Sequence, residues 1–399
     1  MIGNLIINVF NESLANPVSG AKVDIFENDK QIESLTTDIS GQTETIELEA
    51  PPGELSLVPQ EEERPFSTYD IRITAEGMET LTINGVEIFE GTTAIQDASL
   101  GETSNIYIPD NNLWTPGPPK IPEDEVKPLP EASGYVVLNE VVVPEFIVVH
   151  AGVPSNTSAP NYWVPFKDYI KNVASSEIYS TWPRATLQAN ILAIISFTLN
   201  RVFTEWYRGQ GKNFTITNST QFDQAFSYGR NIFKEISDVV DNLFTNYITR
   251  EGIMQPLFTQ YCDGRTSNCP GWLSQWGSAS LGEQGKDYMT ILKNYYGNIY
   301  IDKAPIVSGV PVSYPGHSLQ IGSTGNDVRT IQNQLNSIST HYPAIPKLRA
   351  DGIYGQQTAE GVKTFQRIFN MPQTGVVDFA TWYRISHIYV AINKLATLV

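Results

Sequence analysis

The sequence predicts a multidomain chain: an N-terminal antiparallel β-sandwich over 1–101, a proline-rich acidic linker over 102–133, a central α+β domain over 134–303 and a helical unit over 304–399. Three observations predict it. The first hundred residues alternate apolar and polar side chains in short runs between turn signals, with no helical period. Apolar stripes at helical spacing begin only near residue 170. At roughly 100–200 residues per domain, 399 residues make two to four units, each able to bury its own core.

The strands of the first unit are LIINVF (5–10), AKVDIF (21–26), TETIEL (43–48), YDIRIT (69–74) and LTINGVEIF (81–89). Asn16-Pro17, Ser40-Gly41, Pro51-Pro52-Gly53 and Glu76-Gly77 separate them, and five short strands in this spacing argue a small sandwich. Residues 102–133 hold prolines 109, 116, 118, 119, 122, 128 and 130 and the cluster Glu123-Asp124-Glu125. Such a stretch reads as extended, semi-rigid and open to proteases, either a spacer or a processing site. The central unit starts with strand-like VVLNEVVV and EFIVVHAG. It then shows stripes at 187, 191, 194/195, 198 and 202, at Ile232, Ile236, Val239/Val240, Leu243 and Tyr247, and at Met289, Leu292 and Tyr295/Tyr296 before Gly297. In the last unit Val362, Phe365 and Phe369 form a core stripe, with Thr358 near the start of that helix.

Charge is concentrated in front. Residues 1–133 carry 25 Asp+Glu against 6 Lys+Arg, a net of −19, and the remaining 18 acids and 20 bases of 134–399 give +2. That front third repels phosphates and anionic lipid, so nucleic acid is not an expected partner. Either it is simply a soluble acidic domain, or it is an acidic pro-region masking a neutral enzyme. No run of about 18 uncharged apolar residues exists to span a bilayer. The start MIGNLIINVF has neither a basic n-region nor a small-residue cleavage site, so no secretory signal is expected. The two cysteines, Cys262 and Cys269, exclude a disulfide scaffold and a four-cysteine zinc site; one disulfide, free thiols or half a metal site stay open.

HExxH, GxSxG and glycine-rich phosphate loops are absent, which removes zinc peptidase, α/β-hydrolase and nucleotide chemistry. The central unit has one histidine, His150, read as a strand-end residue and too few for a Cys-His pair or a multi-histidine site. Carboxylates remain. With 169–178 as a helix, Ile170, Val173, Ala174 and Glu177 share one face. A carboxyl on an apolar stripe is desolvated, its pKa rises, and it can serve as a general acid near neutral pH; the alternative puts Glu177 at the rim of that face, in water. Trp182-Pro183 closes the segment.

Several families resemble these units. The order of PVSGAKVDIF, TTDISGQT and DIRITAEGM resembles the carboxypeptidase-regulatory-like, prealbumin-type sandwich, whose members are structural or regulatory. LQIGSTGNDVRTIQNQL, DGIYGQQTAEGVKTFQ and TGVVDFATW, within 316–387, closely resemble the three-helix peptidoglycan-binding module of cell-wall hydrolases. The central unit resembles the SpoIID-type lytic transglycosylases through YIKNVASSE (169–177), Trp182-Pro183, LQANILAIISFTLN (187–200), ITNSTQFDQAF (216–226) and LSQWGSASLGEQGKDYMTILKNYYGN (273–298). That resemblance implies Glu177 as the catalytic residue. It also implies cleavage of the MurNAc–GlcNAc β-1,4 bond to a 1,6-anhydro product, without a cofactor. Trp182, Ser274, Gln275 and Trp276 are then candidates to contact glycan, with Trp276 stacking on a sugar or packing the helix entry instead. Asp223 is the one candidate for the second carboxylate that a hydrolase would need.

Relatives bind zinc through a His and two Cys near LFTQYCDGRTSNC. Thr259 stands where the His is expected, which leaves a disulfide or thiols at Cys262 and Cys269 and no metal. Ile195-Ser196-Phe197 also replaces a common Arg-Thr-Tyr. The order of units resembles the clostridial spore cortex-lytic enzymes. It implies a zymogen in the cortex and coat region of the spore, with cortex peptidoglycan as substrate and a subtilisin-like Csp protease as activator during germination. A non-catalytic peptidoglycan-binding or amidase-stimulating protein, and a muramidase or amidase, are the competing classes.

Overall fold

The computed structural model describes residues 1–11, 16–59, 63–128, 140–308, 312 and 314–393. In the front third, β1 (Ile2–Asn11), β2 (Lys22–Glu27), β3 (Lys30–Thr36), β4 (Ile46–Glu49), β5 (Ser67–Thr74), β6 (Leu81–Ile88), β7 (Thr93–Leu100) and β8 (Asn105–Tyr107) form two sheets. One has the order β4-β1-β7 and the other β3-β2-β5-β6-β8, and β6 packs on β1 and β7 across the gap. Alternation fixes which face is inward: Leu5, Ile7 and Val9 from β1 and Tyr69, Ile71 and Ile73 from β5 are buried. The phase shifts in β6, from Leu81 and Ile83 to Val86 and Ile88, because Asn84-Gly85 bulges opposite Asp70. Gly85 has φ +87°, its N–H donates to Asp70 Oδ1 at 3.0 Å, and a Cβ there would lie 2.7 Å from the Ile108 carbonyl oxygen.

Three corrections apply to this region. The arrangement is not wholly antiparallel, since β1–β7 and β6–β8 run parallel. Three strands had no clear signal: β3 buries Leu35 alone, β7 is mostly small and polar around Ile95 and Leu100, and β8 lies within the expected linker. TETIEL is a strand only from Ile46, because at Thr43 the side-chain oxygen takes the Ile7 N–H at 3.1 Å.

The central unit contains β9 (Val142–Val143), β10 (Phe146–His150), β11 (Asn161–Pro165), α1 (Phe166–Glu177), α2 (Arg184–Phe203), β12 (Ile216–Thr217), β13 (Ile232–Phe233), α3 (Lys234–Leu243), β14 (Asn246–Thr249), β15 (Tyr261–Cys262), β16 (Leu273–Ser274), α4 (Gln275–Glu283), α5 (Tyr288–Tyr296), β17 (Tyr300–Lys303) and β18 (Ile306–Val307). The first half of the expected strand VVLNEVVV, 136–139, falls outside the described residues; its end, β9, pairs with β18. Helix α2 is the hub, packed against α1, α3, α4, α5 and β14. It is buried all round rather than on one stripe, so Ser196, Thr198, Asn200 and Arg201 are interior too. The stripe 232–247 is not one helix. Ile232 pairs with Ile95 in β7, and Tyr247 pairs with Asp302 in β17, so strand pairing at both ends limits α3 to ten residues.

The last unit holds α6 (Asn326–Ile338), α7 (Gln356–Ile368) and α8 (Phe379–Asn393). Two buried glutamines fix its glycine loops. Gln332 accepts from Gly352 N–H at 2.9 Å and donates to the Ile353 carbonyl at 3.0 Å; Gln366 does the same to Gly375 (2.9 Å) and Val376 (3.0 Å).

The front third is not tethered loosely. Strand β13 extends the β4-β1-β7 sheet, so one sheet is shared with the central unit. Nor is 102–128 a free tether: prolines 118, 119 and 122 stay exposed, but Asn111, Leu113 and Lys127 are buried and polar groups of the stretch find partners across the central unit. At the seam the Glu87 carboxylate is fully buried, accepts from Asn111 N–H at 2.6 Å and pairs with the equally buried Arg230. Arg230→Ala leaves that carboxylate unpaired in the interior and is expected to destabilise the chain by about 3–5 kcal/mol in denaturant unfolding. A loss below about 1 kcal/mol would show that the pair does not hold the seam.

Candidate active site

Glu177 is the last residue of α1, on the face of Ile170, Val173 and Ala174 in a helix buried on every side except at Asp168, and it is 1% exposed. The rim alternative, with the carboxyl in water, is therefore not what is seen. Ala225 N–H donates to Oε1 at 2.7 Å, the Tyr261 hydroxyl donates to Oε2, and Gln275 Nε2 donates to the Glu177 carbonyl at 3.2 Å. Strands β15 and β16, parallel neighbours, bring Tyr261 and Gln275 to this end of α1. Behind them Gln224 accepts from Thr198 Oγ1 at 2.8 Å and Tyr169 OH at 3.0 Å and donates to Tyr261 at 3.2 Å.

Burial pushes the Glu177 carboxyl above its ordinary range and outweighs the nearby Lys120 cation and the two hydrogen bonds, which pull it down. Burial likewise lifts the Tyr261 hydroxyl well above its usual value, so it remains a donor. The arrangement can hold a proton at Oε1 or Oε2 and return one, which is acid–base chemistry from a single carboxyl. Asn112, Gly117, Lys120, Asp263 and Gln275 line the pocket beside it.

The other sequence candidates fall elsewhere. Trp182 and Trp276 pack edge to face at 5.4 Å with Tyr179 against both, and Trp182 Nε1 donates to the Ser56 carbonyl at 2.7 Å. Both are interior, at 3% and 8% exposed, so neither offers a ring to a sugar in this structure. Ser274 caps α4, accepting from Gly277 N–H at 3.0 Å. Of residues 274–276, Gln275 lines the pocket. Asp223 is fully buried and its oxygens are taken by Arg201 Nε (2.7 Å), Tyr207 OH (2.7 Å) and Thr217 N–H and Oγ1 (3.0 and 2.7 Å). That saturates the carboxylate and leaves it none for activating water.

Cys262 and Cys269 are joined in a disulfide. Among the described residues no three His, Cys, Asp or Glu side chains gather as metal ligands. Thr259 donates to the Ala193 carbonyl at 2.7 Å, and His150 stacks on Phe214 at 4.4 Å, hydrogen-bonded to Asn161. In the Ile195-Ser196-Phe197 stretch, Ser196 accepts from Ile248 N–H at 2.7 Å. Sequence reading missed Tyr261, Gln224 and Lys120. Tyr261 adjoins Cys262 and Gln224 adjoins Asp223, which was the available signal; Lys120 had none.

Residues 324–385 match the peptidoglycan binding domain family, so the C-terminal helical unit is a peptidoglycan-binding domain. Nineteen per cent of this chain is similar to 99% of the solved SleB N-terminal domain, at 23% identity and a TM-score of 0.17. The solved 5-hydroxyisourate hydrolase from Klebsiella pneumoniae is similar over 25% of this chain and 91% of its own, at 14% identity and a TM-score of 0.17. No curated protein matches the chain. No helix among the described residues is long and apolar enough to cross a membrane.

Tyr261→Phe removes a donor that supports the ionised carboxyl. The Glu177 pKa is then expected to climb further, read from the pH titration of its labelled carboxyl carbon by NMR. An unchanged or lower value would mean that the hydroxyl does not act on Glu177.

Proposed function

We propose that this chain is a peptidoglycan lytic transglycosylase of the SleC kind. It cleaves the MurNAc–GlcNAc β-1,4 bond of spore cortex during germination and is made as a zymogen. One observation carries the reading: a lone carboxyl, desolvated and held by two donors, at the pocket of a chain whose C-terminal domain matches the peptidoglycan binding domain family. In this reading residues 134–303 are the SpoIID-like catalytic domain, 1–101 a prealbumin-like sandwich serving as pro-region, and 304–399 the wall anchor. A subtilisin-like Csp protease in the spore removes the restraint, acting between the pro-region and the catalytic domain.

The chemistry needs only Glu177. Its acid form donates a proton to the glycosidic oxygen as the bond to C1 breaks. The C6 hydroxyl of the same MurNAc closes on C1, and the Glu177 carboxylate takes that hydroxyl's proton. The products are a 1,6-anhydro end and a new GlcNAc hydroxyl, and the acid is regenerated. A hydrolytic glycosidase requires a second carboxylate about 5–9 Å away, and the saturated Asp223 argues against it.

The test uses the full-length chain, before and after nicking with subtilisin, on cortex peptidoglycan, with products identified by mass spectrometry. The nicked chain is expected to release anhydro-muropeptides, and Glu177→Gln to lower that release by at least about 100-fold with its melting temperature unchanged. Reducing ends or free stem peptides would make it a muramidase or an amidase; binding without new glycan ends would make it a non-catalytic wall protein.

The pH dependence follows from the same carboxyl. Its acid form does the work and burial raises its pKa, so kcat/KM is retained on the acid side and falls as pH rises through the elevated value. Absence of an alkaline limb dependent on Glu177 would contradict its role as the proton donor.

A further inference from the structure

We propose that residues 112–127 are an autoinhibitory strap, laid through the glycan groove as a pseudosubstrate, with the Lys120 ammonium seated beside Glu177. The proposal rests on the catalytic reading of that pocket and states how the front of the chain closes it. Pro116, Gly117, Pro118, Pro119 and Lys120 form one wall of the pocket that holds Glu177. Lys120 Nζ donates to the Asp223 carbonyl and, at 3.4 Å, to the Thr220 carbonyl. It sits 4.8 Å over the ring of Tyr261, the residue that hydrogen-bonds Glu177, and 5.5 Å over Phe197.

Downstream the strap is held residue by residue. Ile121 N–H donates to the Gln221 carbonyl at 2.8 Å and Glu123 N–H to Gln260 Oε1 at 2.9 Å; Gln260 Nε2 returns a bond to the Ile121 carbonyl at 2.8 Å. Glu123 takes both terminal nitrogens of Arg201 at 3.0 and 2.8 Å, Glu125 pairs with Arg250 at 2.8 Å, and Lys127 exchanges two bonds with Gln255. The prolines preset an extended backbone and bring no N–H that needs a partner, so the segment enters the groove at low ordering cost. A spacer between folded units requires none of these contacts.

The strap acts on the site in two ways. It fills the space a glycan strand would need. Its cation also favours the ionised form of Glu177, which cannot donate a proton; without Lys120 the carboxyl rises further toward its acid form. Burial, and then the Arg201 charge, pull the Lys120 ammonium down while Glu177 and Asp223 pull it up, so each charge of this pair depends on the other.

Two substitutions in the full-length chain test this. Lys120→Ala removes the cation, and Gly117→Leu drives a side chain into Thr220, whose Oγ1 lies 2.1 Å from where a Cβ would stand. Amide hydrogen exchange reports the strap, and protection of residues 258–262 by soluble N-acetylglucosamine pentamer reports groove occupancy away from the C-terminal domain. Release of glycan ends from peptidoglycan reports turnover. Both variants are expected to speed exchange within 117–127 at least tenfold, to gain pentamer protection absent from the unsubstituted chain, and to release glycan ends at least tenfold faster. Gained protection without glycan release supports the strap and sinks the catalytic assignment of Glu177. Exchange unchanged in both variants, or a loosened strap with no gain in pentamer protection, overturns the strap itself. Pentamer protection already present in the unsubstituted chain does the same.

Discussion

A carboxyl buried at the C-terminal end of a helix meets two penalties at once. Desolvation disfavours its ionised form, and the partial negative charge of the helix end adds to the cost. Glu177 sits in that position on α1, and much of the central unit is arranged around it. The Ala225 N–H and the Tyr261 hydroxyl supply donors, and β15 and β16 carry Tyr261 and Gln275 to the helix end. Gln224, buried beside α2, fixes the hydroxyl behind them. The result is a carboxyl that burial raises above its ordinary range while its donors and Lys120 pull it back.

The unit that carries Glu177 is packed against parts of the chain far away in sequence. The front third shares a sheet with the central unit through β13, and the buried Glu87–Arg230 pair closes the seam. Ser56, from the front third, accepts from Trp182 Nε1, and Gln96 donates to the Gly229 carbonyl at 2.9 Å. The peptidoglycan-binding domain is also anchored on both neighbours: Gln42 donates to the Ile368 carbonyl at 3.2 Å, and Arg384 lies 3.9 Å from Asp168. The acidic front is therefore packed against the two units it precedes, and the residues that leave it toward the centre run along the pocket of Glu177.

That Ile170, Val173, Ala174 and Glu177 share a face of α1 could be read from their spacing, because helical geometry puts those four together whatever surrounds them; that every other α1 residue except Asp168 is buried too could not. The fate of the tryptophans could not. Trp182 and Trp276 have the same sequence character in a glycan groove as in a core, and only the meeting of α4 with the segment before α2 puts them face to edge. The stripe 232–247 misled because apolar periodicity records burial, while partner strands on either side decided the backbone conformation of its ends. Lys120 was hidden by composition. A stretch rich in proline and acid reads as a solvated tether, and its docking depends on Arg201, Arg250 and Gln260, which lie 78 to 137 residues from their partners and belong to other elements.

The central claim is that Glu177 breaks a glycan bond without consuming water. The most direct measurement runs the subtilisin-nicked chain on peptidoglycan in water enriched in oxygen-18 and weighs the new glycan ends. The account predicts anhydro ends carrying no label, since the C6 hydroxyl of the same sugar captures C1. New ends that carry oxygen-18 would contradict it.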